Sequence, residues 1–321
     1  MTPLRYAIVG TGAIGGYYGG RLAQSGREAH FLLHSDYEYV KANGLKVDSV
    51  DGDFFLPSVR AYRTPQEMPS CDVVFVCLKT TKEAELRQLL PPLLHRHTWV
   101  VLIQNGIGVE AAVERMFPQT HLAAGIAYIC SGKFGPGYIR HQDLGKLLLA
   151  PYRPDGPDLA VLEMAVRDLQ QAGVDAGMAD YQGIRWRKCV WNIPYNGLTV
   201  VMNCTTRELL SRPSTCELVR RITAEVVRAG NACGAHIGPE AIEHNIEMTR
   251  GMVPYSPSMK LDFDFGRPME IEYLYTHAIA EAAFHGVEMP LTQMLEEQLL
   301  FIQQRMDGAR KQSVTDNRGG A

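Results

Sequence analysis

The feature that most constrains this chain is a glycine-rich turn directly after its first apolar segment. Apolar residues 6–9 are followed by Gly10, Thr11, Gly12, Ala13, Ile14 and Gly15, and then by a segment with helical spacing. In a strand-turn-helix unit, such glycines permit a tight turn, close approach of the backbone to a pyrophosphate, and close packing of helix on strand. The N-terminus of the helix would face the anion. A purely structural turn is the alternative, because one GxGxxG match is weakly specific.

The glycine turn opens a longer alternation of strand-like and helical segments. The strand-like runs lie at 6–9, 29–33, 73–78, 100–103, 122–129, 146–150 and around 174, and a helical pattern covers 159–171. Alternation of this kind predicts a mostly parallel sheet with helices packed on its faces.

The second half of the chain has a different pattern. Long segments with helical spacing lie at 183–202, 215–234, 239–251, 271–286 and 291–306, and strand signals are few. The closing residues are polar and without periodicity. The sequence therefore predicts an α/β protein in which a Rossmann-type parallel sheet domain for dinucleotide binding at 1–180 precedes an all-α substrate and catalytic domain at 181–308. A flexible tail is expected at 309–321.

Composition and charge exclude several classes of protein. Hydrophobic residues make up 46% of the chain and charged residues 21%, which is typical of globular proteins. With 32 basic and 35 acidic residues, no broad basic surface for nucleic acid or an anionic membrane is expected. No apolar run approaches the ~20 residues of a membrane span, and the N-terminus leads straight into a strand. We therefore expect a cytoplasmic protein.

The cysteine and histidine spacing favours neither disulfides nor a metal site. The seven cysteines include no CxxC pair. His95 and His97 lack a cysteine or acidic partner at ligand spacing, so a surface turn is the better interpretation. We predict reduced cysteines and no bound metal.

A glycine or a polar residue follows each of four predicted strands. These residues are Gly10, His34 with Ser35, Lys79 and Asn105. In an open α/β sheet, ligands bind outside the carboxyl ends of the strands, so these positions fall on one rim. Loops are polar in any case, which explains His34 equally well. For Lys79 and Asn105, which follow fully apolar strands, the pattern favours contacts with a cofactor.

A polar stripe marks the first helix of the second half. Lys188, Asn192 and Asn196 stand at i, i+4 and i+8 and share one helix face, while Cys189 and Ile193 lie among apolar neighbours. An amide left unpaired in a dry core costs ~1 to 3 kcal/mol, and an unpaired ammonium costs more. A plain solvent-exposed face is the alternative, but the apolar surroundings favour a stripe that lines a polar cleft.

Several spaced motifs resemble the ketopantoate reductase family (2-dehydropantoate 2-reductases) over nearly the whole chain. They are GTGAIG at 10–15, CLKTT at 77–81, QNG at 104–106, WRK with two asparagines in phase at 186–196, NCTTREL at 203–209, and SM followed by MEIEYL at 258–274. The resemblance implies a reductase that uses NADPH to convert the C2 ketone of ketopantoate to (R)-pantoate, a step of pantothenate and coenzyme A biosynthesis.

The resemblance also implies residue roles. Lys188 would be the general acid, and Glu270 would orient Lys188 or the substrate hydroxyl. Lys79 and Asn105 would lie along the nicotinamide and its ribose. The substrate's carboxylate and hydroxyl would be held by Asn105, Asn192, Asn196, Asn203 and Ser258. Since the sheet would hold the cofactor and the helices the acid, we expect catalysis between the two domains.

Two departures from the family pattern affect these expectations. Family members usually carry a basic residue where this chain has His34, and a histidine is only partly charged near neutral pH, so NADPH is predicted while NADH is not excluded. Pro194 removes a helical hydrogen bond and is expected to kink the helix that carries Asn196.

Alternatives remain within and outside this family. A related 2-hydroxy-acid dehydrogenase with another branched or aromatic 2-keto acid is one, and a non-catalytic dinucleotide-sensing protein is another. The expected partner is a small-molecule 2-keto acid, and the sequence leaves a homodimer open.

Overall fold

The computed structural model describes residues 3–153, 159–252 and 256–318, with side chains described as far as residue 310. The chain divides into two compact units. We call Met1–Gln104 with Val109–Tyr181 the sheet unit, and Asn105–Gly108 with Gln182–Ala321 the helical unit.

The sheet unit contains ten strands and five α-helices among its described residues. The strands are β1 (Arg5–Val9), β2 (Glu28–Leu32), β3 (Leu45–Ser49), β4 (Phe54–Leu56), β5 (Arg60–Tyr62), β6 (Val73–Val76), β7 (Trp99–Leu102), β8 (His121–Gly135), β9 (Tyr138–Pro151) and β10 (Ala176–Met178). The helices are α1 (Ala13–Gln24), α2 (Tyr37–Asn43), α3 (Leu86–Leu89), α4 (Val109–Met116) and α5 (Ala160–Gln171).

The glycine turn follows β1, which is the strand from which the sheet is extended first to one side and then to the other. The order runs β5-β2-β1-β6-β7-β8, and each neighbouring pair in this run is parallel. From β1 the chain builds outward through β2 on one side and then returns to β6 on the other. Ligands of open α/β sheets bind at this switch point, outside the carboxyl ends of the strands. The predicted Rossmann-type sheet is confirmed.

The central strands are apolar throughout because both of their faces are covered. Every residue of β6 and of β7 is buried. Tyr6, Ile8 and Phe75 are fully buried in the core of this unit. This continuous burial explains why the sequence shows unbroken apolar runs here instead of alternation.

Beyond β8 the sheet continues in a way that the sequence does not predict. β8 and β9 form a long antiparallel hairpin, and β9 also pairs in parallel with β3 and β10. The strands β3, β4 and β5 were not expected from the sequence, since they are three to five residues long and partly exposed. Short half-exposed strands leave no apolar run to recognise.

The helical unit contains helices and no strand among its described residues, as the sequence predicts. The helices are α6 (Tyr181–Val201), α7 (Thr206–Ser211), α8 (Pro213–Ala232), α9 (Ala241–Gly251), α10 (Ser258–Asp264), α11 (His277–Phe284) and α12 (Pro290–Arg318), and a π-helical turn spans Glu272–Thr276. Its apolar core includes Trp186, Ile193 and Leu274.

Side-chain oxygens accept hydrogen bonds from the first backbone amides of two of these helices. The Thr205 hydroxyl accepts a hydrogen bond from the Glu208 amide at 3.2 Å, and the Glu208 carboxylate accepts one from the Thr205 amide at 2.8 Å. These two bonds form a capping box at the N-terminus of α7. The N-terminus of α12 is capped by a residue of another helix, α8. The buried Glu225 carboxylate accepts hydrogen bonds from the amides of Leu291 and Thr292, both at 3.0 Å.

The last helix extends further than the sequence pattern indicates. α12 continues to Arg318, into the segment predicted to be a tail, while residues 319–321 lie outside the described residues. The stretch from Ala309 to Gln312 consists of good helix formers, so the helix can continue without an apolar face. No helix in the described part of the chain is long and apolar enough to cross a membrane.

Candidate functional site

The glycine turn has the geometry of an anion-binding loop. Gly10 has φ +97°, and a Cβ there would lie 2.9 Å from the Leu78 backbone nitrogen. A Cβ on Gly15 would lie 2.3 Å from the Gly10 carbonyl oxygen, whereas a Cβ on Gly12 would meet no atom within 4 Å. Gly10 and Gly15 are therefore required by the turn and by packing, and Gly12 faces open space.

The N-terminus of α1 is suited to a phosphate group. Gly12 is the N-cap residue, no side chain of the described residues caps the helix, and its first turn, which includes Ala13 and Ile14, contains no acidic residue. Its amides and the positive end of the helix dipole thus face the open space beside Gly12. Thr11 anchors the turn, because its hydroxyl donates to the Leu32 carbonyl at 3.0 Å. These features fit the pyrophosphate of a dinucleotide.

The end of β2 presents His34 and Ser35 at the surface, with a buried carboxylate directly behind them. His34 and Ser35 are exposed, while Asp36 is 6% exposed. Asp36 lies 2.6 Å from the Lys133 ammonium, and it accepts hydrogen bonds from the Gly137 amide and the Ser35 hydroxyl. Burial alone would raise the pKa of Asp36, but these partners hold its pKa below the ordinary value.

The sequence pattern gives no sign of the Asp36–Lys133 pair. A carboxylate after the second strand is a visible signal, but its partner comes from the β8–β9 hairpin, almost a hundred residues later. The ion pair means that the Asp36 charge is already compensated within the sheet unit.

Lys79 follows β6 and begins a 3-10 helix at Thr80–Glu85. It is half-buried. The neighbouring strand ends are linked, since the Gln104 side-chain amide donates to the Leu78 carbonyl at 2.8 Å. The loop that carries Lys79 thus lies at the carboxyl end of β6, where open α/β sheets bind ligands.

The loop at 105–108 packs against the π-helical turn within the helical unit. Gly106 has φ +102°, and a Cβ there would lie 2.4 Å from the Tyr273 carbonyl oxygen. The Ile107 amide donates to the same oxygen at 2.8 Å. Only glycine fits this contact, which explains the glycine of the QNG motif. π-helical turns often occur at functional sites.

Two of the predicted substrate residues meet directly. The Asn192 side-chain amide donates to the Asn105 side-chain oxygen at 3.2 Å. Asn192 is 3% exposed and Asn105 is half-buried. Contacts that join the QNG loop to α6 hold these two amides in fixed geometry, which suits them to a ligand with oxygen donors and acceptors.

Asn196 also lies on the buried face of α6, but its amide is engaged by the protein at both ends. Its nitrogen donates to the Asn192 carbonyl at 3.0 Å, and its oxygen accepts from the Met259 amide at 2.9 Å. Met259 is the second residue of α10, which begins at the half-buried Ser258. Asn196 therefore fixes the start of α10 and with it the position of Ser258.

Pro194 lies inside α6, and the structure supplies the hydrogen bond that it removes. A proline has no amide N–H, so the Val190 carbonyl four residues earlier loses its helical donor. The Asn245 side-chain amide of α9 donates to that carbonyl at 3.1 Å. The sequence indicates that a substitute donor is needed but does not identify Asn245.

Asn203 has a local structural role. It is exposed, and its φ of +47° is in the left-handed region. The Asn203 amide donates to the Val200 carbonyl and the Cys204 amide to the Thr199 carbonyl, both at 3.1 Å. This pattern is a Schellman motif, in which asparagine is favoured after glycine. Termination of α6 thus explains this asparagine without a ligand.

The predicted catalytic pair lies on two segments of the helical unit. Lys188 is half-buried on α6, and its ammonium lies 6.0 Å from the centre of the Trp191 ring. Glu270 is 3% exposed and lies two residues before the π-helical turn, which begins at Glu272. A carboxylate buried to this degree is costly unless it has a partner, which distinguishes Glu270 from an ordinary residue at a helix start.

Comparison with known proteins agrees with these observations. The family model described as ketopantoate reductase PanE/ApbA matches residues 6–154, and the model of its C-terminal part matches residues 180–303. The chain is 41% identical to a 2-dehydropantoate 2-reductase of Nostoc sp. over 309 residues, which cover 95% of this chain and 97% of the relative.

Solved structures show the same fold. A 2-dehydropantoate 2-reductase from Geobacter metallireducens is 39% identical, with a TM-score of 0.88 and coverage of 92% of this chain and 99% of the other. A D-mandelate dehydrogenase in complex with NADH and anilino(oxo)acetate is 23% identical, with a TM-score of 0.85 and coverage of 95% and 99%, a likeness that extends to the fold alone. The matches over both halves of the sequence place this chain in the ketopantoate reductase family.

Proposed function

We propose that this protein reduces the C2 ketone of ketopantoate to (R)-pantoate, with a nicotinamide dinucleotide as hydride donor. The observation that carries the proposal is the match to this family over both halves of the chain, with 41% identity to a curated 2-dehydropantoate 2-reductase. Family membership implies an enzyme that uses a nicotinamide dinucleotide. NADPH is the finer proposal, with His34 and Ser35 beside its adenosine phosphate.

The sheet unit holds the cofactor. The amides at the start of α1 bind the pyrophosphate, and the open space beside Gly12 lets that group approach the backbone. Lys79, at the end of β6, contacts the nicotinamide ribose. When bound, the reduced nicotinamide supplies the hydride that adds to C2 of the ketone.

The helical unit supplies the proton and the substrate contacts. Lys188 donates a proton to the oxygen that becomes the hydroxyl group, which is the role of a general acid. Glu270 orients Lys188 or the substrate hydroxyl. Hydride and proton together convert the ketone to the alcohol.

The amide pair of Asn105 and Asn192 binds the polar groups of the substrate, together with the Ser258 hydroxyl. In this proposal Asn196 acts as a positioning residue, since both ends of its amide are bound to Asn192 and Met259. Asn203 terminates α6. The contacts within the protein thus support a division of these residues, in which Asn105, Asn192 and Ser258 bind the substrate and Asn196 positions them.

A direct assay tests the function. Purified protein is given ketopantoate, an aromatic 2-keto acid or a branched one, each with NADPH and with NADH, and oxidation of the cofactor is followed by absorbance. We expect the highest kcat/KM with ketopantoate and NADPH. A higher kcat/KM with the aromatic acid would overturn the substrate, and absence of turnover with all of them would favour a dinucleotide-sensing protein. A homodimer stays a prediction that light scattering of the same sample would test.

A further inference from the structure

Three side chains of metal-binding type converge where α8 and α11 end. Cys233 is the C-cap residue of α8, His285 is the C-cap residue of α11, and Glu281 lies one turn earlier in α11. The Cys233 Sγ, a carboxylate oxygen of Glu281 and a ring nitrogen of His285 all lie within 4.8 Å of one another. None of the three belongs to the set of residues proposed for reduction of the ketone.

The backbone around the cluster is fixed by hydrogen bonds. The Cys233 amide donates to the Ala229 carbonyl at 3.1 Å, and the His285 amide donates to the Glu281 carbonyl at 3.2 Å. The Cys233 thiol lies 4.0 Å from that same Glu281 oxygen. These contacts hold the backbone at both helix ends, so the three side chains start from fixed positions.

The donor distances are close to those of a coordinated ion. Bonds of about 2.1 Å from Zn²⁺ to nitrogen or oxygen and 2.3 Å to sulfur place tetrahedral donors about 3.5 Å apart. The Glu281 oxygen and the His285 Nε2 are already 3.5 Å apart. The thiol needs to approach them by little more than an ångström.

Exposure and charge favour a cation at this place. Cys233 is 8% exposed, whereas the side chains of Glu281 and His285 are 47% and 37% exposed. An ion can therefore reach these two side chains from solvent, and the thiol lies on the buried side of the cluster. Two helix C-termini carry partial negative charge here, in addition to the Glu281 carboxylate.

We propose that Cys233, Glu281 and His285 bind one Zn²⁺ ion, or a transition-metal ion of similar preference, with water in the fourth position. A sulfur and an imidazole nitrogen select this class of ion, since Mg²⁺ and Ca²⁺ prefer oxygen ligands. The ion would connect the ends of α8 and α11. The sequence predicts no metal site because the cysteine and the glutamate are 48 residues apart, and no spacing motif joins them.

Cobalt is the probe for this site, because a thiolate ligand gives Co²⁺ a charge-transfer absorption band. Full-length protein is stripped of metal with a chelator, desalted and titrated with CoCl₂. We expect a thiolate-to-cobalt band that saturates at one ion per chain, and we expect ZnCl₂ to abolish it. Absence of the band overturns the proposal.

Variants identify the ligands. Cys233→Ser should eliminate the charge-transfer band, and Glu281→Gln and His285→Ala should each weaken Zn²⁺ binding at least about tenfold in a calorimetric titration, the lower end of what even an outer-shell change costs. Cys204→Ser and His244→Ala are the matched controls, a half-buried cysteine and an exposed histidine of the same unit. A band that persists in Cys233→Ser, or equal loss of binding in the controls, overturns the assignment. Glu281→Gln, at an exposed position, provides the test if Cys233→Ser fails to fold.

Discussion

The glycine turn of the sheet unit and the asparagines of the helical unit are explained by the structure in different ways. In the turn, Gly10 and Gly15 are required by backbone geometry and close packing, whereas a Cβ on Gly12 would meet no atom within 4 Å. Among the asparagines, Asn196 and Asn203 have partners or a conformation that explain them without any ligand. Asn105 and Asn192 instead form a pair of side-chain amides.

This difference shows which kind of sequence signal is specific. Backbone demands such as a positive φ admit very few residue types, so a glycine in the right spacing is informative. An asparagine can serve a ligand, a helix end or a buried carbonyl equally well, because its amide both donates and accepts. The role of each residue in a polar stripe therefore follows only from its contacts in the folded chain.

The largest effect is expected when the proposed acid of the helical unit is removed. Lys188→Ala should lower turnover by ~10²- to 10⁴-fold, about 3 to 5 kcal/mol of transition-state stabilisation. Cofactor affinity should remain close to that of the wild type, because the proposed pyrophosphate site is the Gly10–Gly15 turn and not α6. Steady-state kinetics and a cofactor-fluorescence titration measure the two quantities.

A neighbouring cation provides the control for this substitution. Arg187 is exposed on the same helix, and its guanidinium reaches only the His236 carbonyl at 3.4 Å among the contacts described. Arg187→Ala should therefore leave turnover nearly unchanged. A folded Lys188→Ala protein that keeps more than roughly a tenth of the wild-type turnover would exclude the general-acid role, since even the low end of the expected range is larger.

Substitution of two glycines separates packing from cofactor binding in the sheet unit. Gly15→Ala places a Cβ 2.3 Å from a backbone oxygen and should cost ~1 to 3 kcal/mol of stability. Gly12→Ala meets no atom within 4 Å, so it should cost at most about 1 kcal/mol through the weaker N-cap, yet weaken cofactor binding at least as strongly as Gly15→Ala. Thermal unfolding and NADPH titration measure both. Unchanged NADPH affinity in Gly12→Ala would contradict the pyrophosphate placement.

A double-mutant cycle tests whether Asn245 compensates for Pro194. Asn245→Ala should cost ~1 to 3 kcal/mol, because the Val190 carbonyl loses its donor. In a Pro194→Ala background, residue 194 regains an amide that can bond this carbonyl, and the cost of Asn245→Ala should fall by about 1 kcal/mol. Urea unfolding of the four proteins gives the coupling. Equal costs in both backgrounds would show that Asn245 stabilises α9 by other contacts.

The fold and the positions of several residues at strand ends could be predicted from sequence, but several contacts could not. Fully buried strands such as β6 and β7 consist of unbroken apolar runs, and the turn after β1 requires glycines. Both features can therefore be recognised in the sequence. The Asp36–Lys133 pair and the hydrogen bond from Asn245 to Val190 join residues far apart in the chain. No periodicity records such a partner, because it depends on how the elements pack.

A smaller effect is expected at the adenosine end of the cofactor. His34→Arg should lower the KM for NADPH by less than about fivefold, since ion pairs at exposed positions contribute ~0.2 to 1 kcal/mol, and His34 is exposed. The KM for NADH should stay the same, because NADH lacks the phosphate that arginine would bind. A wild-type protein that prefers NADH would show that the phosphate site has been placed wrongly.

The smallest effect is expected from substitution of Asn203, for which a structural role at the end of α6 and a contact with substrate predict different results. Its φ of +47° is one that glycine adopts without strain, so Asn203→Gly should change stability by less than about 0.5 kcal/mol and leave the KM for ketopantoate unchanged. Asn203→Ala should lose about 1 kcal/mol, because alanine disfavours the left-handed region. If Asn203 instead contacts the substrate, both variants should raise the KM by a similar factor, since both lack the amide. A raised KM for ketopantoate in both variants would assign Asn203 to the substrate site. A loss of stability in Asn203→Ala alone, with KM unchanged, would assign it to the end of α6.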